Sequence, residues 1–278
     1  MHARSALFDV YGDHLRTRGN QAPVAALVRL LEAVGIAGPA VRTAISRMVL
    51  QGWLEPVTLS GGPGYASTPR AIRRLDDAAA RIYRTADLTW DGRWHLVLVD
   101  PIRHRADRAR VRSGLSWMGY AELSDGTWVS PWPRPELDDL LEREQVQASR
   151  AVAVDFEPPS RPAEAWDLEA LGLEYAEWLD EVRSALPAEG ASDDPDRADF
   201  ASRFRLVHEW RMFLFRDPGL PDELLPTTWP GREAAAHFTQ EAARLKPGAD
   251  RFVDRCLAEP RVPTDQKPDQ TTDQKAVR

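Results

Sequence analysis

Residues 23–67 read PVAALVRLLEAVGIAGPAVRTAISRMVLQGWLEPVTLSGGPGYAS, and two helices followed by a short hairpin account for the whole run. Val24, Leu27, Val28 and Leu31 recur at i, i+3, i+4 and i+7, the spacing of one buried helical face. Pro23 suits the first position of that helix. Gly35-Ile36-Ala37 is a tight connector, and Pro39 opens a second helix whose buried stripe is Val41, Ala44, Ile45 and Met48. Gly52 closes it. Extended pieces at 53–57 and 65–67 then flank Ser60-Gly61-Gly62-Pro63-Gly64, which reads as a hairpin tip. Working outward, Thr68 is a helix N-cap for a segment running from Pro69 to about Thr85. Upstream, Leu7, Val10, Tyr11 and Leu15 fall at helical spacing.

A helix that reads DNA buries one stripe in its own domain and turns the other toward the major groove. Opposite Val41, Ala44, Ile45 and Met48 the second helix offers Arg42, Thr43, Ser46 and Arg47, suitable donors for guanine edges and phosphates. Gly62 at the hairpin tip and Tyr65 at its base are candidate phosphate contacts, and Arg70, Arg73 and Arg74 are placed to hold the backbone. The plainer reading is an ordinary helical subdomain with a solvated basic face. Charge favours the first. The 278-residue chain carries 36 basic and 43 acidic side chains, a net of −7, which taken whole argues against a nucleic-acid partner. Yet residues 1–84 hold eleven arginines against six acids, a net of +5, and the remainder is −12. A basic head on an acidic body points back to DNA.

Other totals exclude classes. Cys256 is the only cysteine, which removes disulfide scaffolds, cysteine-rich zinc sites and iron–sulfur clusters. No apolar run approaches the roughly 18 residues of a membrane span, and the N-terminus lacks an apolar signal core. The expectation is a soluble, cytoplasmic protein with no membrane association.

The length predicts two or three domains. Residues 1–86 form the head. Residues 87–158 read β-α-β-β-α-β: strands at 94–99, 120–123, 127–130 and 151–156, with helices at 107–118 (heavily studded with arginine) and 135–145. The last strand is expected to alternate Val152, Val154 and Phe156, and residues 158–162 read as a linker. Residues 159–257 look helical, at 163–186, 197–215, 232–245 and 249–257, and residues 258–278 look disordered. The fold class is therefore α+β.

Catalytic patterns are thin. The six histidines make no metalloprotease spacing, no nucleophile elbow occurs, and Cys256 has no evident partner. No catalytic residue, metal or cofactor is expected. Asp100, ending the first central strand, is the one acid able to hold Mg²⁺ beside a phosphodiester, and a metal-dependent phosphodiesterase or nuclease is the alternative function. A scaffold using its central sheet for dimerisation is a third reading. The ten tryptophans suit cores and domain joints. Arg205, His208, Trp210 and Arg211 combine cations with an aromatic face and are candidates for an anionic, partly aromatic effector.

The runs 23–31, 40–49 and 52–54 resemble the PaaX-type repressors of phenylacetate degradation, as do Trp90-Asp91-Gly92-Arg93-Trp94 and residues 126–131. Leu206-Val207-His208-Glu209-Trp210-Arg211, residues 216–221 and Leu224-Leu225-Pro226 match the same family, so the resemblance spans roughly residues 5–257. It implies an N-terminal winged helix-turn-helix of the GntR type, a central ferredoxin-like βαββαβ domain that serves dimerisation, and a helical C-terminal domain. It also implies a non-enzymatic, homodimeric transcriptional regulator. Such a repressor binds an inverted-repeat operator in double-stranded DNA and releases it on binding an acyl-coenzyme A effector such as phenylacetyl-coenzyme A. The central domain is similar in fold to the small CRISPR adaptation nuclease, whose metal-binding aspartate falls at Asp100; no nuclease activity is implied for the regulators.

Overall fold

A computed structural model describes residues 1–60, 62–83, 89–185 and 193–258. The chain is a mixed helix-and-sheet α+β protein. Its first helix, α1 (Ala3–Asp9), runs into a π-helical stretch, Val10–Leu15. Strand β1 (Gln21–Pro23) follows, then α2 (Val24–Glu32), α3 (Gly38–Leu50), β2 (Leu54–Leu59), β3 (Gly62–Ser67) and α4 (Pro69–Ile82). The stripe read from the sequence of α3 is the one buried: Val41, Ala44, Ile45 and Met48. Gly52 closes that helix at φ +70°, a conformation glycine adopts without cost. Thr68 caps α4, its side chain accepting from the Ala71 amide.

The hairpin is longer than expected, because Gly62, Pro63 and Gly64 belong to β3 rather than to the tip. The antiparallel order β1-β3-β2 places β3 centrally, with Gly64 opposite both Pro23 and Val57. A Cβ at Gly64 would stand 2.6 Å from the Ala22 carbonyl oxygen, so this glycine is set by the close approach of β1. Strand β1 has no counterpart in the sequence reading. Pro23 lies in it, one residue before α2, rather than in the helix.

The central unit comprises β4 (Trp94–Val99), α5 (Arg105–Trp117), β5 (Ala121–Ser124), β6 (Thr127–Ser130), α6 (Leu137–Glu144) and β7 (Ala148–Ala153). Its antiparallel sheet has the order β5-β6-β4-β7. Val97 and Trp128 pack against Val111 and Leu115 of α5 and Leu137 and Leu140 of α6. The β7 register corrects the sequence: the strand ends where Trp94 pairs with Ala153, leaving Val152 and Val154 57% and 65% exposed. The alternation at 152–156 belongs to an edge strand and its exit, not to a buried one. The expected linker is docked as well. Arg161 donates to the Leu123 carbonyl at 3.0 Å, and Trp166 stacks on Trp94 at 6.2 Å.

The C-terminal part holds α7 (Leu168–Ala185), α8 (Pro195–Trp210) and α9 (Pro230–Ala258). Two expected helices, split at Pro247-Gly248, are one. Pro247 and Ala243, whose carbonyl it leaves without an amide donor, are both exposed, so water can take the lost bond. Gly248 is buried against Asp199 of α8, where no side chain fits.

Three apolar clusters hold these parts together, and two of them cross the expected boundary between the N-terminal and helical units. Phe200 and Phe204 of α8, with Ala249, Phe252, Val253 and Cys256 of α9, share a single core with Leu7, Leu27, Leu30, Leu31 and Ile45. Leu30 is fully buried although it lies outside the Val24–Leu31 stripe, because α9 covers that side of α2, and Arg29 donates to the Cys256 carbonyl. Burying one such phenylalanine stabilises by about 1.5–3 kcal/mol. Separating α8 and α9 from the N-terminal unit would therefore cost several times that.

Candidate nucleic-acid interface and the charged cluster behind it

Arg42, Thr43, Ser46 and Arg47 line one exposed face of α3. Neither arginine makes an ion pair among the described residues. The two hydroxyls are turned back on their own helix: Thr43 Oγ1 donates to the Pro39 carbonyl at 3.0 Å and Ser46 Oγ to that of Arg42 at 3.1 Å. Donating to a base or phosphate requires a rotamer change, so the two guanidiniums are the ready donors. Arg73 is also exposed and makes no ion pair among the described residues.

Other expected contacts are spoken for. The Arg70 guanidinium lies 4.4 Å over the Trp53 ring, and Arg74 lies 3.7 Å over Trp117 at the end of α5. Burial lowers the pKa of Arg74 from the ordinary arginine value. Arg74 thus joins the N-terminal unit to the central one while staying exposed. Tyr65 packs half-buried against the first core, and its carbonyl accepts from Tyr11 Oη at 2.8 Å. Gly62, at φ +103°, pairs with Leu59 and closes the hairpin.

Of the C-terminal candidates, the structure gathers two and separates two. His208 Nδ1 and Asp9 Oδ2 are 2.6 Å apart, and Arg211 Nη1 stands 2.6 Å from Asp9 Oδ1 while Nη2 donates to Ser5 Oγ at 2.6 Å. Trp210 is buried, stacked on Phe238 at 4.7 Å, with its indole nitrogen donating to the Ile82 carbonyl. Arg205 is exposed on α8. No open aromatic-cationic face forms from these four; His208 and Arg211 serve the joint between α1 and α8.

That joint contains a cluster the sequence reading missed. Arg203, 4% exposed, grips Asp13 through two bonds, Nε to Oδ2 at 2.8 Å and Nη2 to Oδ1 at 2.7 Å. It also donates to Tyr83 Oη at 2.8 Å and to the Ala242 carbonyl, and Tyr83 Oη donates in turn to Asp13. Burial alone would push the Asp13 carboxyl up, but His14, Arg203 and Tyr83 together hold it at about 2. Asp9 goes the other way: burial raises its pKa against the pull of His208 and Arg211. His14, fully enclosed, is pushed down by burial and its Nε2 makes no hydrogen bond. The π-helical stretch carries Asp13 and His14, and such widened turns recur at functional positions. A cavity of about 30 Å³, room for one water, lies beside them between Phe8, Gly12, Leu75, Tyr83 and Arg211. The signal was present in the sequence. Asp9 and Asp13 sit four apart inside the apolar Leu7–Leu15 helix, and Arg203 lies between Phe200 and Phe204.

Asp100 is exposed at the end of β4, and among the described residues no three His, Cys, Asp or Glu side chains gather to hold a metal. Nothing favours the phosphodiesterase alternative. Among the described residues no helix is long and apolar enough to cross a membrane.

A chain with this N-terminal unit, central sheet and shared helical core matches three models of one family, in order. They are described as PaaX-like protein over residues 2–65, PaaX protein central Cas2-like domain over 87–164, and PaaX-like protein C-terminal domain over 166–255. The chain belongs to the PaaX-like family. It is 29% identical over 261 residues to the transcriptional repressor PaaX of Escherichia coli strain K12, covering 90% of this chain and 82% of that protein. Among solved structures it is similar to an uncharacterized protein from Mycobacterium tuberculosis. The TM-score there is 0.62 at 25% identity, over 90% of this chain and 98% of the other.

Proposed function

We propose that this chain is a DNA-binding transcriptional repressor that works as a homodimer. The observation that carries the reading is the outward face of α3, where Arg42 and Arg47 stand exposed with no counter-ion among the described residues, in a unit of net charge +5. On this reading α2, α3 and the β2–β3 hairpin are a winged helix-turn-helix, with α3 entering the major groove. The four-stranded sheet with α5 and α6 is a ferredoxin-like unit. Its exposed edge, with Val152 and Val154, faces a second copy, so that two α3 helices meet two halves of an inverted repeat. The family match and the similarity to a repressor support the assignment.

An acyl-coenzyme A, phenylacetyl-coenzyme A among the candidates, is the proposed effector. Its place in the reading is the α1–α8 joint. An anionic ligand that draws His208 and Arg211 away leaves Asp9 buried and unpaired, an arrangement the protein relieves by releasing α1. Such a ligand lowers operator affinity only to the extent that it prefers the released state.

The test is DNA selection by the purified protein, followed by mobility shift on the selected duplex. Replacing Arg42 by alanine is expected to weaken binding by about 1–3 kcal/mol, and Arg47→Ala likewise. Unchanged affinity in the double variant means that α3 is not the reader. Calorimetry with aryl-coenzyme A thioesters tests the effector; no heat with any of them removes that part.

A further inference from the structure

Beyond the N-terminal unit the chain is acidic, and one segment breaks the trend. From Arg103 to Arg112 five arginines stand against one acid, Asp107. All five arginines are exposed. Two are neutralised: Arg110 by Asp107 and Glu144, each at 2.7 Å, and Arg112 by Glu122 at 2.7 Å. Arg103, Arg105 and Arg108 make no ion pair among the described residues, and the one bond found is from Arg108 to the Ile102 carbonyl at 2.9 Å.

The fold does not need these three charges. Arg105 and Arg108 occupy the first turn of α5, where the helix dipole disfavours cations and where acids are the usual choice. Like charges so close repel one another as well. The buried face of α5 is made by Val111 and Leu115 instead.

Position gives the patch a partner. The other end of α5 is Trp117, over which Arg74 of α4 lies, so α5 meets the basic helix of the N-terminal unit there. Arg105 and Arg108 share one face of α5 at i and i+3, and Arg73 of α4 is a further exposed arginine with no ion pair among the described residues. From Trp117 to Arg105 the axis covers about 18 Å. DNA carries one phosphate charge per roughly 1.7 Å and stays straight over such spans. We propose that Arg103, Arg105 and Arg108 form a second contact with duplex DNA, binding backbone phosphates that flank the site read by α3. The inference rests on the DNA-binding reading above and extends it to the central unit.

The experiment uses the full chain and a triple variant, Arg103→Ser, Arg105→Ser, Arg108→Ser, with circular dichroism to confirm folding. Each protein is titrated by fluorescence anisotropy against two duplexes that share one selected site, about 20 and about 50 base pairs long, at several salt concentrations. The wild type should bind the long duplex more tightly, and the variant should lose most of that gain. The salt slope on the long duplex should fall by about 2–3, since each neutralised phosphate contributes about 0.9. Affinity for the short duplex should not change. Equal gain and equal slope in both proteins overturn the proposal, and are the result expected if the patch serves an acidic protein instead. A wild type that binds neither duplex overturns the DNA reading itself. Loss of binding in the Arg42→Ala, Arg47→Ala variant together with an unaltered triple variant overturns the second contact alone. If the triple variant misfolds, Arg105→Ser by itself should remove about a third of the slope change, and no change overturns the proposal.

Discussion

Replacing Arg203 by methionine removes a charge while keeping most of the side-chain volume. Asp13, held at about 2, would titrate near 3.9 in an unfolded chain, a difference of about two pKa units. At neutral pH that corresponds to about 2–3 kcal/mol of folding free energy carried by the ionised carboxylate. Removing the guanidinium also takes donors from the Ala242 carbonyl and Tyr83 Oη and leaves a buried carboxylate uncompensated. Together these place the cost at about 3–5 kcal/mol. In a chain of this size that lowers the melting temperature by roughly 6–20 °C. The sharper test is a double-mutant cycle with Asp13→Leu, measured by denaturant unfolding at pH 7. With both charges gone, the apolar pair should recover most of the loss, giving a coupling energy of about 2–3 kcal/mol. Additive losses, or a single-variant cost under about 1 kcal/mol, would refute the view that this pair is a desolvated unit joining α8 to the N-terminal helix.

Two further outcomes are expected. Burial lowers the pKa of His14, so the unfolded chain takes up a proton below about pH 6.5 while the folded chain resists it; stability should fall as pH drops from about 6.5 toward 5. Replacing His14 by asparagine should flatten melting temperature against pH without levelling it, because burial also lowers the pKa of His95 and adds a slope of the same sign. An unaltered slope in the variant contradicts this. At Gly64, an alanine Cβ would meet the Ala22 carbonyl at 2.6 Å and Leu59 Cδ1 at 2.7 Å, and overpacking of this kind costs about 1–3 kcal/mol. The denaturant midpoint should drop in Gly64→Ala, whereas Gly35→Ala, with nothing within 4 Å but φ +83°, should suffer only from backbone strain.

What the sequence made legible was whatever one local period decides. The α3 stripe, its exposed arginines and the Thr68 cap follow from spacing within a dozen residues, and the structure agrees. What escaped depends on neighbours distant in the chain. Strand β1 is three residues with a proline, too short to carry a pattern, and exists because β3 offers it a partner. The helix split at Pro247 was a local inference overruled by the packing of α9 on α8. The 151–156 strand was read from alternation, yet pairing with β4 sets a register that begins at Ala148. On α3 the spacing places Arg42, Thr43, Ser46 and Arg47 outside, as the structure has them, but spacing does not show that Arg74, His208, Trp210 and Arg211 make contacts between units. No local signal tells a cation waiting for phosphate from one that, like Arg211, already faces Asp9 from the far end of the chain.

The core shared by the first and last helices also sets an order of events during synthesis. Chains usually fold domain by domain from the N-terminus as they emerge, at about 5–20 residues per second. Here the N-terminal unit leaves the ribosome with Leu27, Leu30 and Ile45 in a core that still lacks Phe200, Phe252 and Val253. About 170 residues separate Ile82 from Val253, so the core stays incomplete for roughly 9–34 s at those rates. The segment proposed to meet DNA is thus made well before its core is completed. During that interval its open apolar face is what a chaperone, or a neighbouring nascent chain, would encounter.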